Sequence, residues 1–179
     1  MGRRLVAYFS ATGTTAKAAN ALAEASGADV FEIRNPVPYT GADINWTDRS
    51  SRFFQELRTR NFRPPIEGTV ARMEDYDEVY LGFPIWAYRE PRIVDTFLEQ
   101  YDFDGKTIVL FATSGADGFG RTRSLVERAL AKADPDAHVT VRESRVLVGW
   151  PTTEFVDGHV VPGTLDDGEV ADWLASLGF

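Results

Sequence analysis

The chain of 179 residues contains no cysteine. That excludes disulfides, cysteine-held iron–sulfur clusters, thiolate zinc sites and a cysteine nucleophile, so any redox role must come from an organic cofactor. Histidine is nearly as scarce. His138 and His159 are the only two, their spacing does not suit a metal site, and both are read as surface residues. Positive charge is also short: 19 Lys and Arg stand against 27 Asp and Glu, a net charge of −8. The average field therefore repels phosphate backbones, and no nucleic-acid partner is expected. No apolar stretch approaches the roughly eighteen residues that a membrane span requires. The N-terminal apolar run, Leu5 to Phe9, is too short for the core of a secretory signal and reads as a buried strand, so a cytoplasmic location is expected. Repeats, low-complexity segments and Gly/Ser linkers are missing, and residues 1–179 are expected to form a single domain. What is plentiful is aromatic: 12 Phe, 4 Trp and 6 Tyr within a 44% apolar composition, which argues a packed globule.

Five short runs have strand character: Leu5–Phe9, Val30–Ile33, Glu78–Phe83, Thr107–Ala112 and one within Val139–Val148. The first and fourth are nearly continuously apolar, as in strands covered on both faces. Helical patterns lie between them. Thr14–Ser26 is Ala-rich, with Ala18, Leu22 and Ala25 on one face and Gly27 where a C-terminal cap belongs. Glu90–Tyr101 places Ile93, Val94, Phe97 and Leu98 at helical spacing, with Pro91 in the first turn. Arg121–Ala133 and Val170–Leu177 complete the set. This alternation predicts βαβ units and an α/β, doubly wound parallel sheet.

Residues from about 35 to 69 break the rhythm. Pro36, Pro38, Pro64 and Pro65 flank rings at Trp46, Phe53, Phe54 and Phe62, interleaved with Arg49, Arg52, Arg58, Arg60 and Arg63. The spacing predicts one short helix within Ser50–Thr59 and an otherwise irregular insertion. Loops of this length are commonly functional, and the rings can equally serve to staple the insertion onto the sheet.

In an open parallel sheet, ligands bind beyond the carboxyl ends of the strands. The first strand runs into Ser10-Ala11-Thr12-Gly13-Thr14-Thr15 and then a helix. Hydroxyls and unpaired first-turn N–H groups at a helix N-terminus suit an anion, and four hydroxyls exceed what capping needs. The third strand ends in Pro84-Ile85-Trp86-Ala87-Tyr88, where two rings on a loop offer stacking area. The fourth ends in Thr113-Ser114-Gly115-Ala116-Asp117-Gly118, whose glycines let the backbone approach a ligand closely. Together these loops describe a pocket for a phosphate joined to a planar heterocycle. Its candidate residues are Ser10 to Thr15, Pro84 to Tyr88, Thr113 to Ala116, and Gly118.

On these residues the chain resembles the flavodoxin-like proteins that bind flavin mononucleotide (FMN). Ser10 to Thr15 is similar to their phosphate loop, and the third- and fourth-strand loops fall where their two isoalloxazine loops lie. The likeness is closest to a bacterial subgroup with GxPIW and TSGxxG loops and an insertion carrying Pro38-Tyr39-Thr40, Asp43, Trp46 and Arg63-Pro64. The resemblance implies a flavodoxin-like three-layer sandwich with a five-stranded parallel sheet of order 2-1-3-4-5. It further implies noncovalent FMN and electron transfer with a redox partner protein, such as a flavin or iron–sulfur reductase, by a monomer or weak dimer.

Two features depart from the carrier pattern. The fourth-strand loop lacks the usual stacking Tyr, leaving Trp86, Tyr88 or Phe119 to cover the ring. Arg89, Arg92, Arg121 and Arg123 lie in or beside the flavin loops, where carriers present carboxylates. Free arginines there would attract an anionic substrate or a nicotinamide phosphate, the pattern of an FMN-dependent NAD(P)H:quinone-type reductase. Arginines paired with Glu90, Asp95 and Asp117 would instead be solvated helix-start residues. Other readings lack their residues: there is no G-x-G-x-x-G or Gly-Lys-Ser/Thr after the first strand, no phosphoacceptor Asp after the third, and no G-x-S-x-G elbow.

Overall fold

In the computed structural model the described residues are 2–115, 118–148, 154–156, 159–161 and 163–179. In chain order they form β1 (Arg3–Tyr8), α1 (Thr14–Ser26), β2 (Asp29–Glu32), α2 (Arg52–Arg58), β3 (Tyr76–Pro84), α3 (Arg92–Gln100), β4 (Thr107–Ser114), α4 (Thr122–Ala133), β5 (Thr140–Val148), β6 (Glu154–Val156), β7 (His159–Val161) and α5 (Asp167–Ser176). The five principal strands make a parallel sheet of order β2-β1-β3-β4-β5, as the resemblance implied.

Alternation along the central strands divides the core in two. Leu5, Ala7, Phe9, Val79, Leu81, Phe83, Ile108, Leu110 and Ala112 face α3 and α4, where they meet Ile93, Val94, Phe97, Leu98, Val126 and Leu130. Val6, Tyr8, Tyr80, Val109 and Phe111 face the other way, onto Ala18, Ala19 and Leu22 of α1 and Val170 and Trp173 of α5. Successive strand side chains point to opposite faces, so strands apolar at every position demand a helical layer on each side. The result is a three-layer α/β sandwich.

Boundaries follow local chemistry. Gly27 ends α1 at φ 65°, its N–H bonded to the Ala23 carbonyl. The buried face of that helix is Thr15, Ala18, Ala19, Leu22 and Ala23, while Ala25, expected among them, is exposed. Helix α3 starts at Arg92 rather than Glu90, because Pro91 is extended and Glu90 precedes a proline. Helix α5 starts earlier than its apolar pattern, at Asp167, since the Asp166 carboxylate accepts from the Glu169 N–H and caps it. The antiparallel β6–β7 hairpin escaped prediction, because three-residue strands are too short to display a period.

The insertion is closed at its base. Asn35, buried, donates from Nδ2 to the Pro65 carbonyl at 2.8 Å and accepts from the Val37 N–H at 2.9 Å. Thr40 donates its N–H and hydroxyl to Asp43, and the Asp43 carbonyl accepts from the Phe53 N–H, which seats α2 within its predicted span. Arg63 meets Glu99 of α3 through two bonds of 2.9 and 2.7 Å, and Thr96 donates to the Pro64 carbonyl. The sequence features Pro38-Tyr39-Thr40, Asp43 and Arg63-Pro64 thus anchor the insertion to itself and to the sandwich.

Gly82, at the end of β3, lies opposite Phe111 of β4. A methyl group there would overlap the Phe111 ring, which is fully buried and packed on Trp173 at 5.2 Å. Gly82→Ala is therefore expected to destabilise the fold by about 1–3 kcal/mol, read as a lowered urea midpoint. An unchanged midpoint would mean that the Phe111–Trp173 pair yields without cost.

Candidate functional site

At the carboxyl ends of β1, β3 and β4 the loops enclose a cavity of about 390 Å³. From the first loop its wall takes Ala11, Thr12, Thr14 and Thr15, from the third Pro84, Ile85, Trp86 and Ala87, and from the fourth Thr113, Ser114 and Gly115. Ile44, Trp46 and Phe53 of the insertion and Gly163, ahead of α5, complete it. Ser10, Gly13, Tyr88 and Gly118, expected at the site, are not part of this wall. Ala116 and Asp117 lie outside the described residues.

The first loop is organised from behind by Ser10, whose hydroxyl oxygen accepts from the Gly13 and Ala16 N–H groups at 3.1 and 3.2 Å. Gly13 caps α1 at φ 90°, a conformation that favours glycine. The N–H groups of Thr14 and Thr15 have no acceptor among the described residues, as expected in a helix's first turn. The hydroxyls divide their work. Thr14 donates to the Gly163 carbonyl at 2.7 Å, so in its 3.2 Å contact with Thr12 the proton belongs to Thr12. The Thr15 and Thr113 hydroxyls meet at 2.7 Å and tie the first loop to the fourth. Lys17 is turned away, its ammonium on the Leu165 carbonyl at 2.8 Å and on Asp167 at 2.6 Å. These donors suit an anionic oxygen cluster without a cationic side chain.

The third loop is a two-residue hairpin turn. Trp86 and Arg89 exchange both backbone hydrogen bonds, and the central Ala87 and Tyr88 have φ of 49° and 65°, the left-handed pair that such turns require. This geometry sends the two aromatics apart. Trp86 packs edge-on against Phe9, Tyr39 and Phe53, each with ring centroids 5.6 Å away. Tyr88 is 76% exposed. Phe119, the third candidate to cover a ring, is buried in the core beneath α3 and α4. The sequence marks Trp46 and Phe53 as rings of an insertion that the reductase reading uses as a substrate wall, without showing which of its rings reach the site. Their interleaving with arginines was a signal without an address, and Gly163 gave none.

Behind the third loop lies a cluster of charge. Arg89, whose side chain is 13% exposed, reaches Glu90 at 2.5 Å and Asp95 at 3.0 Å. Asp95 also lies 3.3 Å from Arg92 and 3.7 Å from Arg63. Arg89 and Arg92 thus contact the acids expected for them, but they are largely shielded by the fold rather than solvated. Arg123 pairs with Glu127 on the surface of α4. Next to the cluster, Glu56 accepts from the Tyr39 hydroxyl and from Arg52, and the Arg52 guanidinium lies 3.8 Å from the Tyr39 ring centre. Burial, followed by the Glu56 charge, pushes the Tyr39 phenol well above its ordinary range. His138 is exposed, and the His159 side chain lies outside those described. Among the described residues no group of acids and histidines is placed to hold a metal, and no helix is long and apolar enough to cross a membrane.

A doubly wound sheet of this order, with a cleft walled by its βα loops, defines the class of three-layer α/β proteins whose ligands sit at the strand carboxyl ends. The family model for flavodoxin matches residues 3–158, and the chain belongs to the flavodoxin family. Among solved structures, a protein described as a flavoprotein from Bacteroides eggerthii is 36% identical, with 100% of this chain and 99% of that chain covered and a TM-score of 0.77. Another so described, from Bacteroides uniformis, is 36% identical over 97% of this chain and 98% of its own, with a TM-score of 0.75. A flavoprotein from Lactobacillus acidophilus, solved in complex with FMN, is 17% identical over 97% and 99%, with a TM-score of 0.59, a likeness of fold. No curated protein matches the chain in sequence.

Glu90 gives the site a pH signature. It is fully buried, and its Oε2 has no hydrogen-bond partner among the described residues. Burial pushes its carboxyl up to about 8, with Asp95 adding to the shift and Arg89 opposing it. The unfolded chain ionises this group near 4.5, while the fold keeps the proton until about 8. Stability from Glu90 is therefore complete below the lower value and lost as pH rises through the upper one. Glu90→Gln should gain on the native protein across this window, by up to about 1.4 kcal/mol per pH unit. Parallel curves of urea midpoint against pH for the two proteins would show instead that Glu90 is ionised throughout.

Proposed function

We propose that the protein binds FMN in this cavity and carries electrons between redox partners. One observation carries the reading: a single cavity joins a cation-free set of anion donors at the start of α1 to an apolar wall of Trp46, Phe53, Ile85 and Trp86. A phosphate monoester fits the first part, where the Thr14 and Thr15 N–H groups have no acceptor among the described residues and the α1 dipole favours negative charge. A flat heterocycle fits the second, where the rings supply area and shape together. Bound FMN would supply reversible one- and two-electron chemistry. Ser10 holds the loop, Thr15 and Thr113 fix the spacing of the two edges, and the aromatic cluster excludes water from the ring's inner side.

The carrier role draws its support from the arginines and from net charge. Arg89 and Arg92, which an anionic substrate would need free, are both committed to the Asp95 carboxylate. The chain as a whole is acidic, at −8, a charge that suits a basic docking partner.

The first test is the visible absorption spectrum of the purified protein and of its apoprotein after addition of FMN. A flavin spectrum, with FMN held more tightly than riboflavin, supports the site. Protein that stays colourless overturns it. Ser10→Ala removes the acceptor of two loop N–H groups and should weaken FMN about tenfold, while riboflavin binding changes little. Equal losses for both ligands would place the phosphate elsewhere. Anaerobic reductive titration then separates the roles: reduction in single-electron steps supports a carrier, whereas direct two-electron reduction with NAD(P)H turnover supports a reductase.

A further inference from the structure

We propose that Trp46 stacks on the outer face of the bound heterocycle, so that the insertion, rather than either flavin loop of the sheet edge, covers the ring. The inference rests on the reading of the cavity as an FMN site. Among the described residues the rings that reach the cavity are Trp46, Phe53 and Trp86. The fourth-strand loop contributes Thr113, Ser114 and Gly115 and no ring, Phe119 is in the core, and Tyr88 stands outside the wall.

The three rings are not equivalent. Phe53 and Trp86 meet edge-on, and Trp86 also touches Phe9 and Tyr39, so both belong to a packed cluster that forms a fixed inner wall. Trp46 is 48% exposed, and its indole has apolar area to remove from water when a flat ligand arrives. Its backbone is already ordered. The preceding turn is closed by Thr40 and Asp43 and by the Ile44 N–H on the Thr40 carbonyl, and the following one by the Thr47 N–H and hydroxyl on Asn45. A ring on a preorganised turn loses little entropy on stacking. With Trp46 in place the outer face is closed to a second planar molecule, so electrons pass through the exposed edge to a partner rather than by hydride transfer from a stacked nicotinamide.

Titration of apoprotein with FMN, with affinity and bound-flavin fluorescence as readouts, tests this in Trp46→Ala and Trp46→Phe. The Ala variant should bind FMN roughly three- to tenfold more weakly and brighten the bound flavin, because a stacked indole quenches it. The Phe variant should recover most of the affinity. Wild-type affinity and fluorescence in the Ala variant would overturn the inference. If the native apoprotein itself takes up no FMN, the reading of the cavity fails first. A second measurement does not depend on the Ala variant folding. In native protein labelled with 5-fluorotryptophan, the Trp46 resonance, identified by its loss in Trp46→Phe, should shift and lose its solvent isotope effect when FMN is added. An unchanged resonance in FMN-loaded protein overturns the proposal.

Discussion

Everything at the cavity depends on one constraint: the central strands are apolar on both faces and run parallel. Two faces require two helical layers, and parallel direction requires each strand to return by a crossover. Each crossover therefore starts from the same edge of the sheet. That edge collects the residues after β1, β3 and β4, and hydrogen bonds lace it together: the Phe9 N–H to the Gly82 carbonyl, the Ile85 N–H to the Thr113 carbonyl, and the hydroxyls of Thr15 and Thr113. The site follows from strand register. A slip of one residue would turn Leu5, Ala7 and Phe9 toward α1 and displace every loop at the edge.

The insertion adds the second ingredient. Without Ile44, Trp46 and Phe53 the edge would be a groove, and with them it is a cavity. Its attachment combines two kinds of force. Tyr39 and Phe53 bury apolar area against Trp86 and Phe9, while Arg63, Arg89 and Arg92 share Asp95 along α3. Buried ion pairs contribute little net stability, because desolvation offsets the attraction. Their effect here is directional. Guanidinium groups around one carboxylate admit few arrangements, and that holds the third-strand turn, with its left-handed Ala87 and Tyr88, in one place.

Much of the architecture was legible in the chain. The helix over Thr14–Ser26 and its stop at Gly27 are local matters of apolar spacing and of a backbone angle that suits glycine. The strand order came by way of the resemblance, and the three loops were found because a parallel sheet places its functional turns after its strands. The failures have equally physical causes. Trp86 and Tyr88 looked alike as loop aromatics two positions apart, yet a two-residue turn sent one inward and the other into solvent. The arginines near the pocket could be solvated or buried, and only the packing of α3 against the insertion decided between them.

The sequence by itself determined the layers, the alternation, the glycine stop of α1 and the chemical character of each loop, because these depend on side chains two to four positions apart along one backbone. Tertiary structure decided which hydroxyls remain available and which rings form the wall. Thr14 spends its proton on Gly163, 149 positions away, and Trp46 shares a cavity with Thr12 only because the insertion folds back over the sheet edge. Such meetings are set by how layers pack in three dimensions, and no periodicity along the chain encodes them.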